Sequence, residues 1–195
     1  MEISLMFAVK PMTADETVKP MTAAEFEQFV TLPENQHKLF EFIGQEPVEV
    51  PSNPYVSHIA VRFIRWLAPF VDDNDLGYVT TEAGGYWVSG ERYAPDVAYI
   101  SKARQAVLAK EGYNPNPPEL AIEVVSPNDD LHRLRIKIIN YLAAGTWVWA
   151  VFPEAKRVEV YVPGQPVKIL THEDTLDGGT VLPGFTLALS DIFKA

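Results

Sequence analysis

The chain has 195 residues, 47% of them hydrophobic, which suits one domain with its own core and argues against a disordered chain. Its formal net charge is −10 and it contains no cysteine, so disulfides, thiolate zinc sites and a cysteine nucleophile are excluded. No segment reaches the roughly 18 apolar residues that a membrane-spanning helix needs.

Residues 1–20 contain Pro11 and Pro20, lack periodicity and read as an N-terminal arm. Met1 to Lys10 does not read as a signal peptide, and with the absence of cysteine this fits a cytoplasmic setting. Residues 21–195 read as a single domain, with no internal repeat. Thr22 followed by Glu25 has the spacing of a capping box and predicts a helix to about Thr31. Leu39 to Val50 alternates and breaks at Gly44, as a β-hairpin does. A long helix is expected from about Asn53 to Val71, because Val56, Ile59, Ala60, Phe63, Ile64 and Leu67 share one face. Asp72 to Gly77 reads as a turn. It departs from a calcium loop, with Leu76 at the fifth position and Ala83 where the last glutamate belongs.

Strands are expected at about 77–82, 85–89 and 96–101, then a loop or short helix over 102–118. Leu120 to Val125 is apolar except for Glu123, the pattern of a central buried strand. A helix then starts at Asp129 or Asp130 and runs to Ala144, with Gly145 ending it. Its apolar stripe is Leu131, Leu134, Ile138, Tyr141 and Leu142, and Lys137 lies on the flank between Arg133 and Tyr141. Trp147 to Phe152 and Arg157 to Val162 form a second hairpin across Pro153 to Lys156, and the tail from about 167 adds short strands and turns. The fold class is therefore α/β (α+β).

Glu123 is the residue that calls for an explanation. Side chains alternate along a strand, so Leu120, Ile122 and Val124 share one face while Ala121, Glu123 and Val125 share the other. A carboxylate inside such a strand is costly unless it is paired or bound to metal. One solution is a salt bridge to Arg133 or Arg135. The other is a metal site shared with Asp96, which opens a neighbouring strand after Pro95. Lys137 can pack its stem on the helix flank and aim its ammonium back at the sheet. Two carboxylates and a lysine near one point suit metal-assisted hydrolysis of a phosphodiester. The net charge of −10 opposes binding to phosphate. However, bound divalent ions reverse the local field, and Lys102, Arg104 and Lys110, then Arg133, Arg135 and Lys137, cluster near the candidate residues in sequence.

With those residues in place, the chain resembles the PD-(D/E)XK nuclease superfamily and, more closely, the Uma-two family of restriction-endonuclease-like proteins. The resemblance covers about residues 20–193. It is carried by Leu39 to Gly44, Ser57-His58, Ala94-Pro95-Asp96-Val97-Ala98 and Leu120 to Pro127. After these come Arg135-Ile136-Lys137 with Tyr141, Gly145, Val148 to Val151, and Leu182-Pro183-Gly184-Phe185.

The resemblance implies a restriction-endonuclease-like αβββαβ core with a mixed central sheet flanked by helices. It implies Mg²⁺, with Mn²⁺ as a substitute, on Asp96, Glu123 and the Val124 carbonyl, and Lys137 as the catalytic cation. It implies Glu41 and His58 as accessory groups around the site. The superfamily lysine usually stands two residues after the glutamate, where this chain has Val125. The Uma-two pattern takes it from the following helix instead, at Lys137. The implied activity is a Mg²⁺-dependent endonuclease acting on DNA. The alternative is a nuclease fold without catalysis that serves as a binding or interaction module. A homodimer would suit cleavage of both strands of a duplex.

Overall fold

The structure is a computed structural model that describes residues 20–50, 53–127 and 129–194, so the expected arm falls almost wholly outside the described residues. Helix α1 (Ala23–Val30) starts at the capping box read from the sequence. Thr22 Oγ1 accepts the Glu25 amide at 3.2 Å, and the Glu25 carboxylate accepts the Thr22 amide at 2.7 Å. Phe26 on this helix is fully buried, stacked on Phe42 of β1 (Phe40–Ile43) with ring centroids 5.1 Å apart. The hairpin from β1 to β2 (Glu46–Glu49) turns through Gly44 and Gln45, both at positive φ (60° and 67°), as a two-residue turn matched to strand twist requires.

Asn53 caps α2 (Pro54–Asp73), its side chain accepting the amides of Tyr55 and Val56 at 3.0 and 3.2 Å, while Pro54 fills a position that needs no amide donor. The helix buries Ile59, Ala60, Phe63, Leu67 and Val71, the face expected from periodicity. The chain then runs through β3 (Gly77–Thr81), β4 (Tyr86–Val88), β5 (Glu91–Tyr93), β6 (Val97–Ser101) and β7 (Leu120–Val124). After them come α3 (Leu131–Ala143), β8 (Trp147–Phe152), β9 (Arg157–Tyr161), β10 (Lys168–Thr171), β11 (Thr175–Asp177), β12 (Thr186–Ala188) and α4 (Leu189–Ile192).

Among the described residues, six strands form the main sheet in the order β10-β9-β8-β7-β6-β3. Here β7 and β8 run parallel, joined by α3, and the other neighbours run antiparallel. The succession α2-β3-β6-β7-α3-β8 is the expected αβββαβ core, with β4 and β5 diverted into a second sheet of order β2-β1-β5-β4. Burial on both faces explains the apolar run of β7. Leu120, Ile122 and Val124 pack with α2 and the C-terminal strands, whereas Ala121 packs with α3 and the second sheet. Glu123 is on the Ala121 face, so β1 and α3 supply its surroundings.

Three details differ from the sequence reading. Strand β5 was not anticipated, because three residues after the Ser89-Gly90 turn are too few to show alternation. Helix α4 is a four-residue element with no side-chain cap, which leaves no start signal. Leu131 is 45% exposed rather than part of the α3 stripe. It opens the helix, whereas the buried positions are Lys137, Ile138 and Tyr141, further along where α3 reaches the sheet.

Candidate active site

Asp96 stands one residue before β6, at the edge of the ladder. Pairing between β6 and β7 stops at Val97 and Ile122. The next free amide along β7, that of Val124, donates to Asp96 Oδ2 at 2.6 Å. A side chain thus replaces a strand at this point and fixes one carboxylate oxygen against the end of β7.

Glu123 is 7% exposed and has both oxygens engaged. Its Oε1 accepts the Tyr141 hydroxyl at 2.9 Å, and its Oε2 accepts the Lys137 ammonium at 2.7 Å. Tyr141 follows Lys137 by one helical turn, so both project from α3 toward the same stretch of β7. Lys137 Nζ also donates to Glu41 Oε1 at 2.7 Å, and the same Glu41 oxygen accepts the Ala94 amide at 2.7 Å. Lys137 is itself only 6% exposed, and its ammonium lies 5.6 Å from the centre of the Tyr93 ring. Asp96, Glu123, Glu41 and Lys137 all line one cleft of about 310 Å³, as do Val124 and Val125.

Three carboxylates and one ammonium carry a net charge of −2 when all are ionised. Burial and its like-charged neighbours Glu41 and Asp96 push the Glu123 carboxyl up to about 8 against the opposing pull of Lys137. Asp96 is pushed up to about 6, chiefly by burial, with the Val124 amide and Lys137 holding it down. Burial alone would lower the Lys137 ammonium, but Glu123 and Glu41 outweigh it and hold the group above its ordinary value. Lys137 is therefore a cation at neutral pH. Burial, then Glu123 and Glu41, raise the Tyr141 hydroxyl well above its usual range, so it remains a donor.

The donors fit a hard divalent ion. Their oxygens suit Mg²⁺ or Mn²⁺ and offer nothing to a soft metal, and the excess negative charge is what a dication would offset. They do not form a closed cage: no cluster of three or more His, Cys, Asp or Glu side chains arranged to hold a metal occurs among the described residues. Lys137 sits between Glu41 and Glu123 and engages an oxygen of each.

Four of the residues singled out from the sequence, Asp96, Glu123, Lys137 and Glu41, thus share one cleft. His58 does not join them. It is exposed on α2 and faces a separate hollow beside Arg62 and Lys156. The helix turns Asn53 and Val56 toward the cleft and carries His58 away from it. The salt bridge considered between Glu123 and Arg133 or Arg135 is also replaced, since Lys137 is the partner and Arg133 pairs with Glu46 at 3.2 Å. Lys102 and Arg104, at the far end of β6 from Asp96, pair with Asp75 and Glu119. Tyr141 is fully buried, as its place in the apolar stripe predicts, and its hydroxyl also binds Glu123, for which its four-residue spacing from Lys137 was the available signal. The clamp of Asn140, Tyr93 and Glu91 behind the site left no such trace. Its members come from two elements, with the Asn140 amide donating to Glu91 at 3.0 Å and to the Tyr93 hydroxyl at 2.7 Å.

Comparison with known proteins agrees with this architecture. No curated protein matches the chain. A solved structure described as "a putative nuclease belonging to DUF820", from Anabaena variabilis ATCC 29413, shares the fold. It has a TM-score of 0.76 and 20% identity, and the alignment covers 89% of this chain and 98% of that one. The profile of the Uma2 family, described as "Putative restriction endonuclease", matches residues 26–190. That match runs from α1 into α4 through every residue of the cleft named above, and the chain belongs to the Uma2 family.

Proposed function

We propose that the chain is a metal-dependent nuclease that hydrolyses phosphodiester bonds, with DNA as the substrate and Mg²⁺ as the ion. The observation that carries this reading is the meeting of Asp96, Glu123 and Lys137 in one cleft, from three different elements. Asp96, Glu123 and the Val124 carbonyl would hold the ion, which when bound supplies Lewis-acid polarisation of the phosphate and a more acidic water. Lys137 is fixed as a cation, so it acts by neutralising charge that develops on the phosphate and by orienting the attacking water, and not as a general base. Tyr141 and Glu41 hold Glu123 and Lys137 in register. The test is cleavage of labelled DNA and RNA, in Mg²⁺, Mn²⁺ or EDTA. Cleavage that needs the metal and disappears in Glu123→Ala and Lys137→Ala supports the reading. Undiminished cleavage in EDTA refutes it.

A second reading, a nuclease fold that binds without cutting, draws on one observation. The Lys137 ammonium is held by both Glu41 and Glu123, while Val125 occupies the strand position where the superfamily usually has its lysine. Under that reading divalent metal raises the melting temperature, and no form of DNA or RNA is cut.

A further inference from the structure

A second hollow of about 310 Å³ opens on the other flank of the first turns of α2. Its polar lining consists of Tyr55, His58, Arg62, Lys156 and Lys194, with no Asp or Glu side chain among the described residues that line it. Lys194 is paired with Asp191. Arg62 uses one guanidinium nitrogen on the carbonyls of Ile192 and Lys194, each at 2.6 Å. Neither Arg62 nor Lys156 enters an ion pair among the described residues. In a chain of net charge −10, a hollow that brings together Arg62 and Lys156, neither in an ion pair among the described residues, needs a reason.

Its position supplies one. Asn53 and Val56 face the carboxylate cleft, while Tyr55 and Ile59 face the hollow, so the two lie about one helix diameter, roughly 10 Å, apart. The sheet gives the same placement. The Val125 amide donates to the Val151 carbonyl at 2.8 Å, and two residues further on Pro153 lines the hollow. A strand that crosses the cleft carries a phosphate at every nucleotide, so an offset of this size places a neighbouring phosphate at the hollow. Tyr55 is 50% exposed at the rim and offers a ring face to a sugar or base.

We infer that this hollow is a backbone-phosphate subsite, in which Lys156, Arg62 and His58 grip the nucleic-acid strand a few nucleotides from the bond presented to Asp96 and Glu123. The inference rests on the nuclease reading, and it gives His58 a role outside the metal cleft. It also resolves the conflict between net charge and substrate, because the attraction is local.

The test measures binding of a fluorescein-labelled DNA duplex, and of its single strand, by anisotropy across a salt series. The full-length Glu123→Gln chain is used so that no cutting intervenes. Lys156 is exposed, and its φ of 46° is one that asparagine tolerates, so Lys156→Asn removes the charge with no change in melting temperature. Lys156→Asn is expected to weaken binding roughly three- to tenfold and to reduce the slope of log K against log salt by about 1, with Lys156→Arg restoring both. Unchanged affinity and slope in Lys156→Asn, or no nucleic-acid binding by the parent chain, overturns the inference. If the chain cuts nothing and Lys156→Asn still lowers the slope, the hydrolysis reading falls and the subsite stands. If metal-dependent cutting persists and the slope is unmoved, the subsite falls alone.

Discussion

The Lys137 ammonium lies 2.7 Å from the Glu123 carboxylate, although the two belong to different elements and are 14 residues apart in sequence. With Glu41 at the same distance on its other side, Lys137 is the cation that pairs with both buried carboxylates in the core between β1, β7 and α3. Removing one partner of a buried pair leaves an uncompensated charge, at a cost of about 3–5 kcal/mol. Lys137→Ala is therefore expected to destabilise the chain by about that amount in denaturant titrations at pH 8, and by clearly less at pH 5, where Glu123 takes up a proton. An equal penalty at both pH values would show that lost packing, not charge, is responsible.

Because burial and like charge raise Glu123 to about 8 and Asp96 to about 6, the folded state holds protons that the unfolded chain releases near 4.5 and 3.8. The stability from these protons is complete below the ordinary carboxylate range and is lost as pH rises through about 6 for Asp96 and about 8 for Glu123. Thermal melting in EDTA is expected to fall steadily from pH 5 to pH 8.5. Glu123→Gln should flatten the slope above about pH 6 and make it shallower below, where Asp96 alone still contributes. A melting temperature that rises with pH over this range would contradict the assignment.

Tyr141→Phe removes the hydroxyl that donates to Glu123 Oε1 and leaves the ring in the core. A buried hydrogen bond to a charged group contributes about 1.5–3 kcal/mol. The variant should lose about that much stability, and the pH at which Glu123→Gln ceases to matter should move upward, because the carboxylate has lost a donor. Full stability with an unchanged pH profile would mean that the hydroxyl does not serve Glu123.

Divalent metal and protons compete for the same carboxylates, so Mg²⁺ should raise the melting temperature more at pH 8 than at pH 6. At a hundredfold excess over Kd the gain is about 2.7 kcal/mol, and Asp96→Asn should remove most of it. A shift that is independent of pH, or that survives in Asp96→Asn, would place the ion elsewhere.

Much of this arrangement was legible in the sequence because local physics dictated it. Thr22 and Glu25 mark a helix start on their own, and a lone Glu123 in an apolar strand signals a partner before that partner is known. Lys137 was reachable from its wheel position beside Tyr141, and Asp96 from its place after Pro95 at the start of a neighbouring strand. What failed was long-range placement. Nothing local says that Lys137, rather than Arg133 two residues inside the same helix, is the one that faces Glu123. Nor does the His58 spacing reveal which flank of α2 meets the cleft, because that depends on how the helix is rotated against β7 and β8. The hollow joins Arg62, Lys156 and Lys194, which are distant in sequence, and no periodicity connects them.

The most direct test of the central claim is a crystal structure of the chain soaked in Mn²⁺, with the metal located by its anomalous signal. A peak is expected in contact with both Asp96 and Glu123, with the Lys137 ammonium beside it and its hold on Glu123 loosened. A peak bound away from these carboxylates, or no peak in crystals of protein that cuts DNA in Mn²⁺, would contradict it.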